Sequence, residues 1–207
     1  MRRKRFGYIL LALLVITGLA GRISGSITGK ERRVALTLMK STRAEVLQSL
    51  NGINTVQLNF KSSPDRWSAK ECMYHIATAE NNLWQLLQTA LKSPSNPEKR
   101  VAVKLTDEQV IQLAEDRNQK MKTSPILEPA HASYNSISAA INDFKKKRAE
   151  HIEYIKSTTE DLRDHIVQTP FGWMDCYQLC LMIASHSNRH MQQINETKEE
   201  ASLSKSN

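Results

Sequence analysis

Residues 176–200, CYQLCLMIASHSNRHMQQINETKEE, decide the fold class of this chain. Their apolar residues recur every three or four positions, which is the period of an amphipathic helix. Asp175 stands before the run and Gln178 follows three residues later, the spacing of a capping box at a helix start. We therefore predict a long helix from about Cys176 to Glu200, followed by a polar tail over residues 201–207.

Three further segments show the same helical period, and no segment alternates as a strand would. They are Lys30–Leu50, Ala69–Leu91 and Asn135–Ser157. Asn51-Gly52 is typical of a helix C-terminus, and Ser68 with Glu71 forms a second capping box. Loops are predicted between them, over Ile53–Trp67, Lys92–Arg100 and Thr123–Tyr134, with a shorter helix from Thr106 to about Lys122. Four long helices without strands predict an all-α four-helix bundle over residues 30–200.

The lengths of the connections predict how the four long helices are arranged. The first and second helices are joined by a loop of ordinary length, and so are the third and fourth, so we expect each pair to be antiparallel neighbours. The longer stretch from Lys92 to Tyr134 suits a crossover that carries its own short helix. An up-down-down-up bundle follows.

Composition and charge exclude several classes of protein. The chain has 207 residues, of which 40% are hydrophobic and 24% charged, as expected for one globular domain with an added terminal segment. Its formal charge is +8, but residues 2–5 supply four basic side chains, and 29 − 4 = 25 against 21 acidic residues leaves +4. That excess is too small to indicate a nucleic-acid-binding protein.

The first 25 residues have the pattern of a targeting segment. Basic residues 2–5 precede the apolar run Phe6–Ala20, with small residues Gly18 and Ala20 at the spacing of a cleavage site. The segment is a signal peptide or, if Gly21–Gly25 extends it, an N-terminal membrane anchor. In both cases we expect the bundle to be exported, in the periplasm or outside the cell, or anchored to a membrane and facing away from the cytoplasm.

The chemistry of the sequence lies in its histidines. His186 and His190 are four residues apart, so their side chains leave the same face of the fourth helix, which they share with Leu179 and Ile183. On the second helix, His75 flanks the apolar stripe and supplies a third ligand. Three imidazoles from two helices would leave a coordination position open, as in catalytic zinc sites, and zinc or nickel suits such a donor set. The alternative is that the pair arises by chance and that His75 is a hydrogen-bonded core residue.

The remaining histidines and the cysteines are given simpler interpretations. His131 lies among prolines, and His151 and His165 are flanked by charges, so all three are predicted to be solvated. The three cysteines cannot pair completely within one chain, and they are predicted to be free, buried and apolar in character. The same helix register that brings His75 level with the other two histidines separates Cys72 from Cys180.

These residues carry a resemblance to a known family. The chain resembles the DinB-like superfamily of metal-binding four-helix bundles in WSAKECMYHIATAE at residues 67–80, in TPFG at 169–172, and in HSNRHMQQI at 186–194. The resemblance implies the same bundle topology and a metal site formed by His75, His186 and His190. It also implies that the chain is similar to metal-dependent hydrolases or thiol S-transferases. Because such transferases use a cytoplasmic thiol, the export segment favours a hydrolase.

Two functional hypotheses follow from these residues. One is an exported metal-dependent enzyme acting on a small-molecule substrate, with a pocket lined by Asn82, Leu179 and Met182; the other is a non-catalytic bundle that binds a metal or a partner, including a second copy of this chain. No general base is identified. Glu71 is engaged as a cap, and Glu80 is rotated by about 140° from His75, towards solvent or another helix. Membrane contact is expected only through the N-terminal segment.

Overall fold

The computed structural model describes residues 26–118 and 122–204 and consists mainly of helices. The four long helices are those predicted, with ends that agree within a few residues. The helices are α1 (Gly29–Ser49), α2 (Thr55–Asn59), α3 (Ala69–Lys92), α4 (Asp107–Glu115), α5 (Ile137–Ser157) and α6 (Cys176–Leu203). The predicted capping boxes at Ser68, Thr106 and Asp175 are all formed, so the local start signals were interpreted correctly.

Several short elements differ from the prediction. The supposed loop after α1 contains α2, which begins with a capping box between Asn54 and Gln57. The helix α4 ends at Glu115, and Asp116 is already extended, so this helix is shorter than predicted. Short 3-10 helices form at Pro97–Ala102, Pro125–Leu127 and Pro129–His131, each beginning with a proline.

A β-hairpin also contradicts the expectation that the chain contains no strands. The strand β1 (Ile166–Thr169) pairs antiparallel with β2 (Gly172–Asp175), and Gly172 has a positive φ of 110° at the turn. Strands of four residues are too short to show a clear alternation, which explains why the pattern was missed. The hairpin leads directly into α6.

The relative directions of the long helices follow from contacts at their ends. The hydroxyl of Tyr177, at the start of α6, donates to the carbonyl of Glu31 at the start of α1 (2.9 Å). The ammonium of Lys198, near the end of α6, donates to the carbonyl of Ser49 at the end of α1 (2.6 Å). The two helices are therefore parallel.

The helices α3 and α5 are parallel by the same test. Asn81 donates to Asp143 (2.8 Å), and three residues further along α3 the ring of Trp84 stacks on His151 of α5. By contrast α3 and α6 are antiparallel, since Leu87 near the end of α3 lies beside Cys176 at the start of α6. The up-down-down-up order of directions is thus confirmed.

The predicted neighbours are wrong. The helix α1 packs between α5 and α6, and α3 also packs between α5 and α6. The pairs that are consecutive among the long helices, α1 with α3 and α5 with α6, therefore lie across the diagonals of the bundle. The connections, which contain α2 and the hairpin, are long enough to cross its ends. The parallel neighbours are a consequence of these crossings.

The helix α6 is the central element of the core. Every residue from Cys176 to Ser185 is buried, because α1, α3 and α4 all pack against this helix. A helix that is surrounded in this way can be apolar on nearly all sides. This packing holds the histidines of α6 against α3.

The predicted signal or anchor and the last three residues of the tail lie outside the described residues. The start of the predicted tail, residues 201–203, continues α6. Among residues 26–118 and 122–204, no helix combines the length and the apolar character that a membrane span requires.

Candidate metal centre

The structure brings the three predicted histidines together between α3 and α6. His75 is 2% exposed and His190 is 7% exposed, so both are core residues. His186 and His190 are one helical turn apart and project towards α3, where His75 meets them. We call these three side chains the metal cluster.

The ring nitrogens of the metal cluster converge on one point. The Nε2 atom of His186 lies 3.1 Å from Nε2 of His75 and 3.2 Å from Nε2 of His190. One nitrogen from each ring lies within 4.8 Å of the others. Nitrogens bound to one zinc ion at about 2.0–2.1 Å and at tetrahedral angles would be about 3.3 Å apart. The donor set and its spacing therefore fit a divalent metal ion.

Two neighbouring acceptors fix the orientation of the rings. Nδ1 of His75 lies 2.7 Å from the carbonyl oxygen of Leu127, which can only accept, so Nδ1 carries the proton and Nε2 keeps its lone pair. Nδ1 of His190 lies 3.2 Å from Oε1 of Gln193, an oxygen that also accepts from Arg117. Outer partners of this kind set the tautomer in metal-binding histidines.

The electrostatic surroundings keep the metal cluster neutral. Burial lowers the pKa of all three imidazoles, and the pKa values of His186 and His190 lie well below 6.5 because neighbouring imidazoles and Arg189 also oppose a positive charge. Neutral imidazole is the form that binds metals. With the Nδ1 atoms of His75 and His190 protonated, at most one hydrogen, on His186, can lie among the three Nε2 atoms.

An aromatic side chain covers part of the cluster. The ring of Trp67 lies 4.8 Å from that of His75 and is stacked at 5.7 Å on that of His190, measured between centroids. Trp67 immediately precedes the Ser68 cap of α3, so the cap that starts the helix also places this ring. Trp67 belongs to a motif that carries the family resemblance, but no role could be predicted from the sequence for Trp67, for Gln193 or for the Leu127 carbonyl.

The residues predicted to line a pocket make other contacts in the structure. Leu179 and Met182 are buried in the apolar core, at 0% and 3% exposure. Asn82 donates to the carbonyl of Thr78 in its own helix. Glu71 does cap Ser68, as predicted, and also pairs with Lys61.

Two of the three histidines predicted to be solvated are not. His165 is half-buried, and its ring nitrogens lie 2.7 and 3.1 Å from the carbonyls of Asp161 and Ser93. His151 is 1% exposed, and its Nδ1 lies 3.0 Å from Glu80. Only His131 is exposed as predicted.

His151 belongs to a second buried group, which we call the ionic cluster. It consists of Glu80, Arg148 and His151, together with the hydroxyls of Thr42 and Ser187. Glu80 was expected to face solvent or another helix, and it faces α5. Burial alone would raise the pKa of Glu80, but Arg148 and His151 outweigh that effect and lower it.

The three cysteines are free and buried, as predicted. Burial is the main reason that the pKa of each thiol is raised. Such thiols are poor nucleophiles and poor metal ligands at neutral pH. The metal cluster is therefore a site of three imidazoles.

The fold and the site together define a four-helix bundle with a three-histidine centre between two antiparallel helices. The model of the DinB superfamily matches residues 38–194, and the chain belongs to this superfamily. It is 27% identical over 165 residues to the uncharacterized protein YuaE of Bacillus subtilis strain 168, covering 79% of this chain and 97% of YuaE.

A solved structure shares the fold. YfiT from Bacillus subtilis, described as a probable metal-dependent hydrolase with an unusual four-helix bundle topology, superposes with a TM-score of 0.58. The superposition covers 84% of this chain and 90% of YfiT at 13% sequence identity. It supports the four-helix bundle fold.

Proposed function

We propose that this chain is a metal-dependent hydrolase whose divalent ion is held by His75, His186 and His190. The observation that carries the proposal is the convergence of three Nε2 atoms, two of them on rings whose Nδ1 protons are held by fixed acceptors. Imidazole donors favour zinc or nickel over calcium or magnesium. The similarity to YfiT supports the same class of reaction.

Each surrounding residue has a defined task in this proposal. A bound divalent ion would supply Lewis acidity and a more acidic water at neutral pH. Leu127 and Gln193 hold the rings of His75 and His190 in the tautomer that presents Nε2, and Arg117 holds the amide of Gln193. Trp67 shields two of the rings from solvent.

The number of ligands favours catalysis over a purely structural ion. Within the described ranges, the only group of histidine, cysteine or acidic side chains close enough to share an ion is this set of three imidazoles. A structural zinc site has four protein ligands, whereas a catalytic site has three and leaves a position for substrate or water. The basic and apolar residues at positions 2–20 support placing this activity outside the cytoplasm or at a membrane.

Metal content and activity of one matched pair of variants test the proposal. We expect the full chain, purified without chelator, to bind one zinc or nickel ion and to hydrolyse esters or amides from a small-molecule panel. The substitution His190→Ala should abolish stoichiometric binding and hydrolysis, because two imidazoles cannot hold the ion at a buried site. His165→Ala is the control and should change neither, because its ring contacts the carbonyls of Asp161 and Ser93 and no residue of the metal cluster.

Three results would count against this function. Full metal content in both His186→Ala and His190→Ala would place the metal elsewhere. Stoichiometric metal without hydrolysis of any panel member, and with a sharp loss of thermal stability on chelation, would favour a non-catalytic metal-binding bundle. Hydrolysis that survives complete metal removal would show that the reaction does not use this site.

A further inference from the structure

The ionic cluster adjoins the metal cluster along α6, because Ser187 directly follows His186 in the chain. Ser187 lies between His186 and His190 on α6, and its hydroxyl accepts a hydrogen bond from Nη2 of Arg148 on α5 (2.8 Å). The same Nη2 also donates to Oε2 of Glu80 on α3 (2.8 Å). We propose that Arg148, through Ser187 and Glu80, is a positioning residue that sets the register between the two helices that carry the metal cluster. This inference rests on the proposed metal site.

The guanidinium of Arg148 is fully satisfied, which makes it a rigid connector. Its Nε donates to Glu80 (2.7 Å), and its Nη1 donates to the carbonyl of Met39 (3.1 Å) and to the hydroxyl of Thr42 (2.7 Å). With the two bonds of Nη2, all five N–H groups have acceptors. Arg148 is 0% exposed and Glu80 is 2% exposed, so no solvent competes for these bonds.

Metal binding needs this kind of constraint. Packed helices can slide past each other by about 1–2 Å, while metal–ligand distances tolerate only about 0.2 Å. His75 is on α3, and its two partner histidines are on α6, so a slide between these helices separates the ligands. Apolar contacts between helices permit such movement. Two hydrogen bonds from one buried planar group do not, because they weaken steeply outside a narrow range of distance and angle.

The chain offers a closely matched control in Thr42. Its hydroxyl, like that of Ser187, is 1% exposed, accepts from Arg148 and donates to the carbonyl four residues earlier in its own helix. Removing either hydroxyl therefore leaves one buried N–H of the same guanidinium without an acceptor. Thr42 lies on α1, which carries no residue of the metal cluster. In Ser187→Ala the lost bond is to α6, which carries two of the three histidines. In Thr42→Val the lost bond is to α1, which carries none of them.

The experiment compares Ser187→Ala with Thr42→Val in the full chain. Zinc affinity is measured by competition with a chromophoric chelator, and the geometry of the site by the visible absorption of bound cobalt(II). We expect Ser187→Ala to lower zinc affinity by about 10- to 100-fold, the usual effect of removing an outer-shell contact, and to alter the cobalt spectrum. Thr42→Val should leave both unchanged. The urea midpoints of the metal-free variants should fall by similar amounts.

The outcomes separate this inference from the proposed function. Equal losses of zinc affinity in both variants would show that the cluster acts only through stability, and wild-type affinity and spectrum in Ser187→Ala would show no positioning role. Either result overturns the inference and leaves the metal site in place. If the unmodified chain binds no zinc, nickel or cobalt, the proposed function and this inference both fail.

Discussion

His75 and His151 are both almost completely buried, yet they belong to clusters with opposite chemistry. In the metal cluster, three neutral rings turn their Nε2 atoms towards one another. In the ionic cluster, a carboxylate faces a guanidinium whose N–H groups are all used.

The comparison shows how to separate a ligand site from a structural polar core. Burying polar groups is costly unless their bonds are made, and the buried guanidinium of Arg148 has an acceptor for every N–H group. In the metal cluster at most one hydrogen lies among the three Nε2 atoms, so at least two lone pairs point into the same space and can bind a cation. By this criterion the metal cluster is suited to bind a cation, whereas the ionic cluster joins the helices of the bundle to one another.

The largest effect should come from breaking the ionic cluster. Glu80→Gln leaves the buried charge of Arg148 without its counter-ion, and such losses cost about 3–5 kcal/mol of the free energy of unfolding. Urea unfolding of the metal-free protein measures this cost. If Glu80→Gln costs less than about 1 kcal/mol, the cluster does not hold the fold together.

A surface ion pair provides the control for that measurement. Lys147 and Glu150 are 3.2 Å apart on the exposed side of α5, where the Glu150 side chain is 49% exposed. Exposed pairs on a helix contribute about 0.3–0.5 kcal/mol. Glu150→Gln should therefore change the unfolding free energy by less than about 0.5 kcal/mol. An effect as large as that of Glu80→Gln would mean that burial is not the cause.

Local signals in the sequence were sufficient for the long helices and for the three histidines. Capping boxes depend on side chains three residues apart, and paired helix ligands depend on a spacing of four, so neither needs knowledge of distant contacts. The same signal was present at Asn54 and Gln57 and could have revealed α2.

What could not be predicted depends on packing between elements. Flanking charges suggested that His151 is solvated, but it lies three residues after Arg148 on the buried face of α5. The role of Leu127 uses a backbone carbonyl, which leaves no trace in residue type. The prediction of which helices are neighbours was wrong, because loop length alone does not show whether a connection crosses a diagonal of the bundle.

A smaller effect on the free energy of unfolding is expected when the pH is lowered. The pKa of Glu80 is lowered in the folded protein, so its contribution to stability is present above the ordinary value of 4.5 and is lost as the pH falls below it. Arg148 and His151 are the side chains that contact this carboxylate. The stability difference between wild type and Glu80→Gln should therefore shrink as the pH falls below about 4.5. Metal-free urea titrations over this range measure it, and a difference independent of pH would contradict the ionised pair.

The smallest effect should come from the histidine of the ionic cluster. In His151→Phe, Glu80 loses one hydrogen bond but keeps both bonds from Arg148, and the aromatic contact with Trp84 at 3.8 Å can be retained. The substitution also removes Nε2 of His151, which is buried and has no hydrogen-bond partner among the described residues. Losing the hydrogen bond to Glu80 destabilises the protein and removing the unpaired Nε2 stabilises it, each by about 1–3 kcal/mol. The net change in unfolding free energy should therefore be within about 1 kcal/mol. Zinc affinity should be unchanged, whereas His75→Phe should abolish it with the fold retained. A loss of zinc binding in His151→Phe would show that His151 acts on the metal site as well as the bond between Arg148 and Ser187.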